Sequence, residues 1–169
     1  MTAVDYRNSP SVWEGDDLKH DYFFPPTDSL SFDTHIVGVD CFSESCKINF
    51  VMSNGSFSEI VYNYSDNSDT SCIHQRIPDG AVIRRVKMIG MSKYGVLAGL
   101  QFFDKDNNVL LEAGFCPDDD DDDEKRCDIK KEFLLQENER LVGVKSNSNK
   151  LPDLGKAFFD FVFVICRQV

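Results

Sequence analysis

An apolar spacing that occurs three times, in order, constrains the fold of this chain more than any other feature. Leu30, Ile36 and Val39 are separated by steps of six and three residues, as are Ile77, Ile83 and Val86, and then Leu135, Leu141 and Val144. An apolar-x-Phe step follows each triplet: Ile48-Asn49-Phe50, Leu100-Gln101-Phe102 and Phe161-Val162-Phe163. The filling is similar too, with Ile36-Val37-Gly38-Val39 echoed by Leu141-Val142-Gly143-Val144. Loop length varies after each triplet, as it does when insertions fall on one face of a repeated unit. The step of six reads as a strand end, a tight turn and the start of the next strand, and the step of three breaks period-two alternation and marks a bulge or twist. Each copy is then a small sheet. A sheet of three or four strands cannot bury its apolar face alone, so three such sheets must share one core, which predicts an all-β, three-sided prism. A two-sheet β-sandwich is the alternative.

Local patterning agrees with an all-β chain. From residue 30 onward, short runs of Val, Ile, Phe and Tyr are broken by turn residues, and no helical stripe of useful length occurs. Ser45 to Met52 and Phe57 to Tyr62 flank Asn54-Gly55, which predicts a hairpin with a type I′ turn. Gly99 to Phe103 and Val109 to Leu111 form a second hairpin with a longer loop, Asp104 to Asn108. With 169 residues, 41% hydrophobic and 28% charged, the chain is one globular domain rather than a collagen, a coiled coil or a disordered tail. A formal charge of -11 repels phosphate and disfavours nucleic acid or an anionic bilayer as a general partner. No apolar run reaches the roughly 18 residues of a membrane span, and residues 1–21 lack the pattern of a signal peptide, so a cytoplasmic location with reduced thiols is expected.

The third copy, Phe133-Leu134-Leu135-Gln136-Glu137-Asn138-Glu139-Arg140-Leu141-Val142-Gly143-Val144, resembles the Leu-x-x-x-Glu-x-Ile-x-x-Val motif of the jacalin-related lectins. The resemblance spans residues 30–169 and implies a β-prism of three Greek-key sheets with pseudo-threefold symmetry. It also implies a sugar site built from a glycine-rich segment and a Gly-x-x-x-Asp loop after the last motif strand. This sequence departs from that pattern: Gly155 and Asp160 are five apart and precede Phe161-Val162-Phe163, and only six residues follow Phe163. No sugar-binding residue is therefore carried over.

Residues 1–29 form an extended N-terminal arm on this reading, and residues 30–169 form the prism-like domain with an acidic loop at 116–128. The arm holds Trp13, Tyr22, Phe23 and Phe24, which lie against the domain or anchor a protein partner, because a few aromatics can carry most of a contact energy. Asp118, Asp119, Asp120, Asp121, Asp122 and Asp123 read first as a solvated, charged insertion with no partner, the alternatives being that they meet a basic protein surface or loosely bound divalent cations.

Other constellations reduce to structure. His20, His35 and His74 have no neighbouring ligand spacing, and Cys41 and Cys46 lack the second pair that a zinc site needs. Gly90 to Gly95 resembles a nucleophile elbow with one residue too many. Asp104-x-Asp106-x-Asn108 imitates a calcium loop but has Val109 and Phe115 where glycine and glutamate belong, and reads as a hairpin turn. No catalytic, metal or cofactor site emerges. The expectation is a non-enzymatic structural or interaction protein that docks with protein partners in a larger intracellular assembly, a cytoskeletal or ciliary lattice being one host. The alternative is a carbohydrate-binding module that uses another face of the prism.

Overall fold

A computed structural model of the chain describes residues 3–11, 22–42, 47–58, 72–91, 96–114, 129–151 and 155–169. Their strands form three antiparallel sheets. In the first, the order is β1 (Val4–Asn8), β11 (Gly155–Gln168), β10 (Glu139–Leu151), β2 (Tyr22–Phe24). In the second, β3 (Ile36–Phe42) lies between β4 (Lys47–Met52) and β5 (Cys72–Arg76). The third runs β8 (Val109–Gly114), β7 (Val96–Phe103), β6 (Arg85–Met91), β9 (Ile129–Leu134). Among the described residues the one helical element is a 3₁₀ turn at Thr27–Ser29, and no helix is long and apolar enough to cross a membrane. The chain is all-β and three-sheeted, as the repeat predicts, rather than a two-sheet sandwich.

The third sheet is a Greek key, and the other two follow its plan in their described strands. In the third, β6, β7 and β8 follow one another and β9 returns to pair with β6. In the second, the chain turns back beside β4 through the Val51–Phe57 bridge, and β5 returns to β3. The first has the same plan cut open by the chain ends: β1 flanks β11, β2 flanks β10, and the Val169 N–H donates to the Ala3 carbonyl at 3.0 Å. The expected N-terminal arm therefore supplies two strands in its described parts, and the boundary expected at residue 30 falls inside a shared sheet. The physical reason is that β10 and β11 alone would expose two unpaired edges.

Phe50, Phe102 and Phe163, the aromatic successors of the three triplets, are fully buried and meet at the centre. Their ring centroids lie 5.7 to 6.5 Å apart with interplanar angles of 78 to 87°, so each ring presents its edge to another's face. Ile36, Val39, Ile83, Val86, Leu135, Leu141 and Val144 close around them in one core. Two polar clamps repeat as well. The Ser58 and Ser9 N–H groups donate to the Phe50 and Phe163 carbonyls, each at 2.9 Å, and the two serine hydroxyls accept from the same phenylalanines' N–H groups at 2.8 and 2.9 Å.

The triplets carry a different meaning from the one expected. The Ile77 N–H bonds the Val37 carbonyl in the second sheet, while Ile83 and Val86 begin the third; the Leu135 N–H bonds the Arg84 carbonyl in the third, while Leu141 and Val144 lie on β10 in the first. The step of six is thus a crossing from one sheet to the next, not a turn within one. Leu30 departs from its counterparts by packing on a separate cluster of Val142, Val164 and Cys166. The step of three is a bulge, with register shifts at Ile36/Gly38 and Leu141/Gly143, and with Arg84 bonding the Phe103 carbonyl although Arg85 is the residue paired with Phe103. Glycine follows the bulge in two copies because a Cβ at Gly38 would meet the Gln75 carbonyl at 2.8 Å, and one at Gly143 the Phe24 carbonyl at 2.9 Å.

Local turns also refine the expectations. Among the described residues Asn54 is not at positive φ, and Gly55 sits at +85° with its N–H on the Met52 carbonyl, so the hairpin closes through a three-residue loop with a glycine bulge rather than a type I′ turn. In the second hairpin the Asp104 carboxylate accepts from the Asp106 and Asn108 N–H groups and the Asn108 side-chain amide, at 2.8 to 2.9 Å. The Asn108 amide above all holds that carboxyl below its usual range. Asp104 is committed to its own loop.

Replacing Phe50, Phe102 or Phe163 by alanine should cost about 3–5 kcal/mol each, while Phe57→Ala, at a ring 63% exposed, should stay within about 0.5 kcal/mol. Urea unfolding checks this, and a mild loss at any one of the three core positions would contradict their equivalence.

Candidate functional site

The three sheet-to-sheet crossings converge at one end of the prism. His35, Val82 and Arg140 each stand immediately before the second residue of a triplet (Ile36, Ile83, Leu141), and all three line a cleft of about 330 Å³ together with Ser53, Arg76 and Asp79. Being equivalent positions of the three copies, they surround the pseudo-threefold axis. The cleft is therefore a product of the repeat.

Each wall has a local cause. Pro78-Asp79-Gly80-Ala81 is a tight turn in which the Ala81 N–H bonds the Pro78 carbonyl at 3.0 Å, with Gly80 at φ +81° as a type II turn requires at its third position. The turn carries Asp79 at the rim. Ser53 fixes the opposite wall: its N–H donates to the His35 carbonyl, and its hydroxyl accepts from the His35 N–H and donates to the Asp33 carbonyl.

Arg140 rests on a turn that Glu139 holds in place. The Glu139 side chain is 1% exposed; its carboxylate accepts from Arg7 Nε and Nη2 at 2.8 and 2.7 Å and from the Gln136 N–H at 2.9 Å. The Arg7 hydrogen bonds, above all, keep this carboxyl below the ordinary glutamate range against the effect of burial. Two guanidinium groups share the carbonyls of that turn. Arg140 Nη1 donates to Glu137 and Glu139, and Arg84 donates to Gln136, Glu137 and Glu139. Burial and the neighbouring Arg84 charge both disfavour the charged form of Arg140, and its guanidinium carbon lies 5.3 Å from the Phe32 ring centre.

Polar capacity is left over in the cleft. Among the described residues, Nε and Nη2 of Arg140 have no acceptor, Asp79 has no hydrogen-bond or ion-pair partner, and the buried Nδ1 of His35 is unpartnered. Burial and then the Arg140 charge hold the His35 imidazole below the usual histidine range, opposed by the Asp33 and Phe32 backbone. Arg76 differs, since its Nη1 bonds Asp40 at 2.6 Å.

The residues singled out in the sequence lie elsewhere. Tyr22 and Phe24 are half-buried against the core, and Phe23 is exposed on the same strand with Lys145 Nζ 5.8 Å from its ring centre. Trp13 and Asp118 to Asp123 lie outside the described residues. Gly155 and Asp160 are within β11, paired with Leu151 and Asn147, so their backbone is part of a hairpin ladder. Sequence reasoning assigned His35 a structural or surface role and passed over Asp79 and Arg140. The available signal was the position before the second residue of each triplet.

No protein-family model and no curated protein sequence matches the chain. Solved structures do match in fold. The chain is similar to Malaysian banana lectin (8% identity, TM-score 0.55, covering 95% of this chain and 98% of that one). It is also similar to the Calsepa lectin solved with a biantennary N-glycan (13% identity, TM-score 0.56, covering 100% and 98%). It matches the V. cholerae biofilm matrix protein Bap1 as well (12% identity, TM-score 0.53), where it spans only 24% of that chain. The fold is the three-sheet β-prism of jacalin-like lectins.

Glu139→Gln should destabilise the protein by about 2 kcal/mol at neutral pH, less than a wholly enclosed ion pair because the Arg7 side chain is 41% exposed. A carboxyl depressed in the folded state contributes stability above its unfolded pKa of about 4.3, and that contribution is lost as pH falls through the lower folded value. The deficit measured by denaturant unfolding should therefore be constant between about pH 5 and 7 and shrink toward pH 3. A deficit of the same size at pH 3 would assign it to packing instead.

Proposed function

We propose that this chain is a non-enzymatic carbohydrate-binding domain that takes its ligand in the cleft at the crossing end of the prism. The observation that carries this reading is that equivalent positions of all three copies close a concave site in which Nε and Nη2 of Arg140 and the Asp79 carboxylate have no partner among the described residues. Sugar hydroxyls are donors and acceptors at once, and a site with both kinds of vacancy on rigid turns binds them at little ordering cost. Support also comes from the fold, since lectins share it over nearly the whole length of both chains.

Docking through the N-terminal aromatics has weaker support. Tyr22 and Phe24 spend their rings on the core, which leaves Phe23 as the exposed member of that group among the described residues. A cytoskeletal or ciliary host has no observation behind it.

A glycan array probed with the purified protein should give saturable binding to a restricted set of saccharides. Backbone amide shifts on adding a hit should cluster at residues 35, 53, 79, 82 and 140. A blank array would remove the carbohydrate reading.

A further inference from the structure

We infer that the cleft selects saccharides bearing a carboxylate, the uronic acid class, with the Arg140 guanidinium holding the carboxylate and Asp79 accepting from ring hydroxyls. The inference rests on the carbohydrate reading above and specifies its ligand.

The chain as a whole carries -11, yet Arg84 and Arg140 share one turn with only backbone carbonyls as acceptors and no carboxylate partner among the described residues. Arg76 on the same cleft is balanced by Asp40, so Arg140 is the lining cation with charge to spare. Its Nη1 is anchored on Glu137 and Glu139 and its plane lies near Phe32, leaving Nε and Nη2 as a two-pronged donor already held in position. A planar fork of that kind matches a carboxylate, and an anion there relieves the repulsion from Arg84. A neutral sugar would cover Arg140 without compensating it.

Asp79 narrows the class from the other side. A ligand with a second acid group would meet this carboxylate, whereas a single-acid pyranose offers it hydroxyl donors. At about 330 Å³ the cleft lies near the lower limit of ligand sites, so it suits a terminal sugar residue rather than the interior of a long chain.

Titration of the full chain with methyl β-glucuronide, methyl β-glucoside and sodium acetate, followed by NMR, tests this. The glucuronide should bind at least about tenfold more tightly than the glucoside, as one charge-assisted fork implies. Arg140→Gln should erase that difference. Because this substitution also touches the Glu139 turn, the unmodified protein supplies a second readout. The His35 imidazole pKa should rise on saturation with glucuronide, because the bound carboxylate offsets the Arg140 charge, and should not move with glucoside. Acetate at the glucuronide's Kd should leave the cleft shifts unchanged. Equal affinity for the two glycosides, a static His35, or an acetate response matching that of glucuronide would each overturn the inference. If the array shows neutral glycans bound while the cleft stays silent to glucuronide, this inference fails and the lectin reading stands. If no saccharide of either kind binds, both fail.

Discussion

Three phenylalanine rings set edge to face at the centre of the prism are the contact on which the structure depends. None of the three sheets can hide its inner face alone, and each sends one fully buried ring, Phe50, Phe102 or Phe163, to meet the other two. Everything peripheral follows from keeping that meeting symmetric. The chain must leave one sheet and enter the next by a similar route each time, so the crossings carry similar apolar residues at the same spacing, although Leu30 packs on a separate cluster. A bulge after each crossing re-aims the strand so that Val39, Val86 and Val144 reach the same interior.

The repeat made the architecture legible, and its failures are instructive. Spacing alone does not say which sheet a residue belongs to, so the step of six reads as a local turn when it is the passage between sheets. Strand count held the missing information about residues 1–29. The second copy contains a full Greek key and the first contributes three described strands to its own sheet, while residues 135–169 supply only β10 and β11, and β1 and β2 complete that sheet. Tyr22-Phe23-Phe24 has no visible alternation because a three-residue edge strand is too short to show one.

The cleft was harder to read because its chemistry is assembled from three distant segments. His35, Asp79 and Arg140 are unremarkable one at a time, and only the crossing geometry brings them to a common axis. Glu139 was visible as part of a motif, but nothing in the linear order says that Arg7 from the chain's start neutralises Glu139 and thereby supports the turn on which Arg140 sits. The cleft is a consequence of closure: the crossings that close this end also bring His35, Asp79 and Arg140 to one place.

A crystal structure of the full chain with a bound uronide tests the central claim most directly. The account predicts density for the sugar between His35, Val82 and Arg140, with the carboxylate on Arg140 Nε and Nη2. Ordered sugar at the opposite end of the prism, with this cleft holding only solvent, would contradict it.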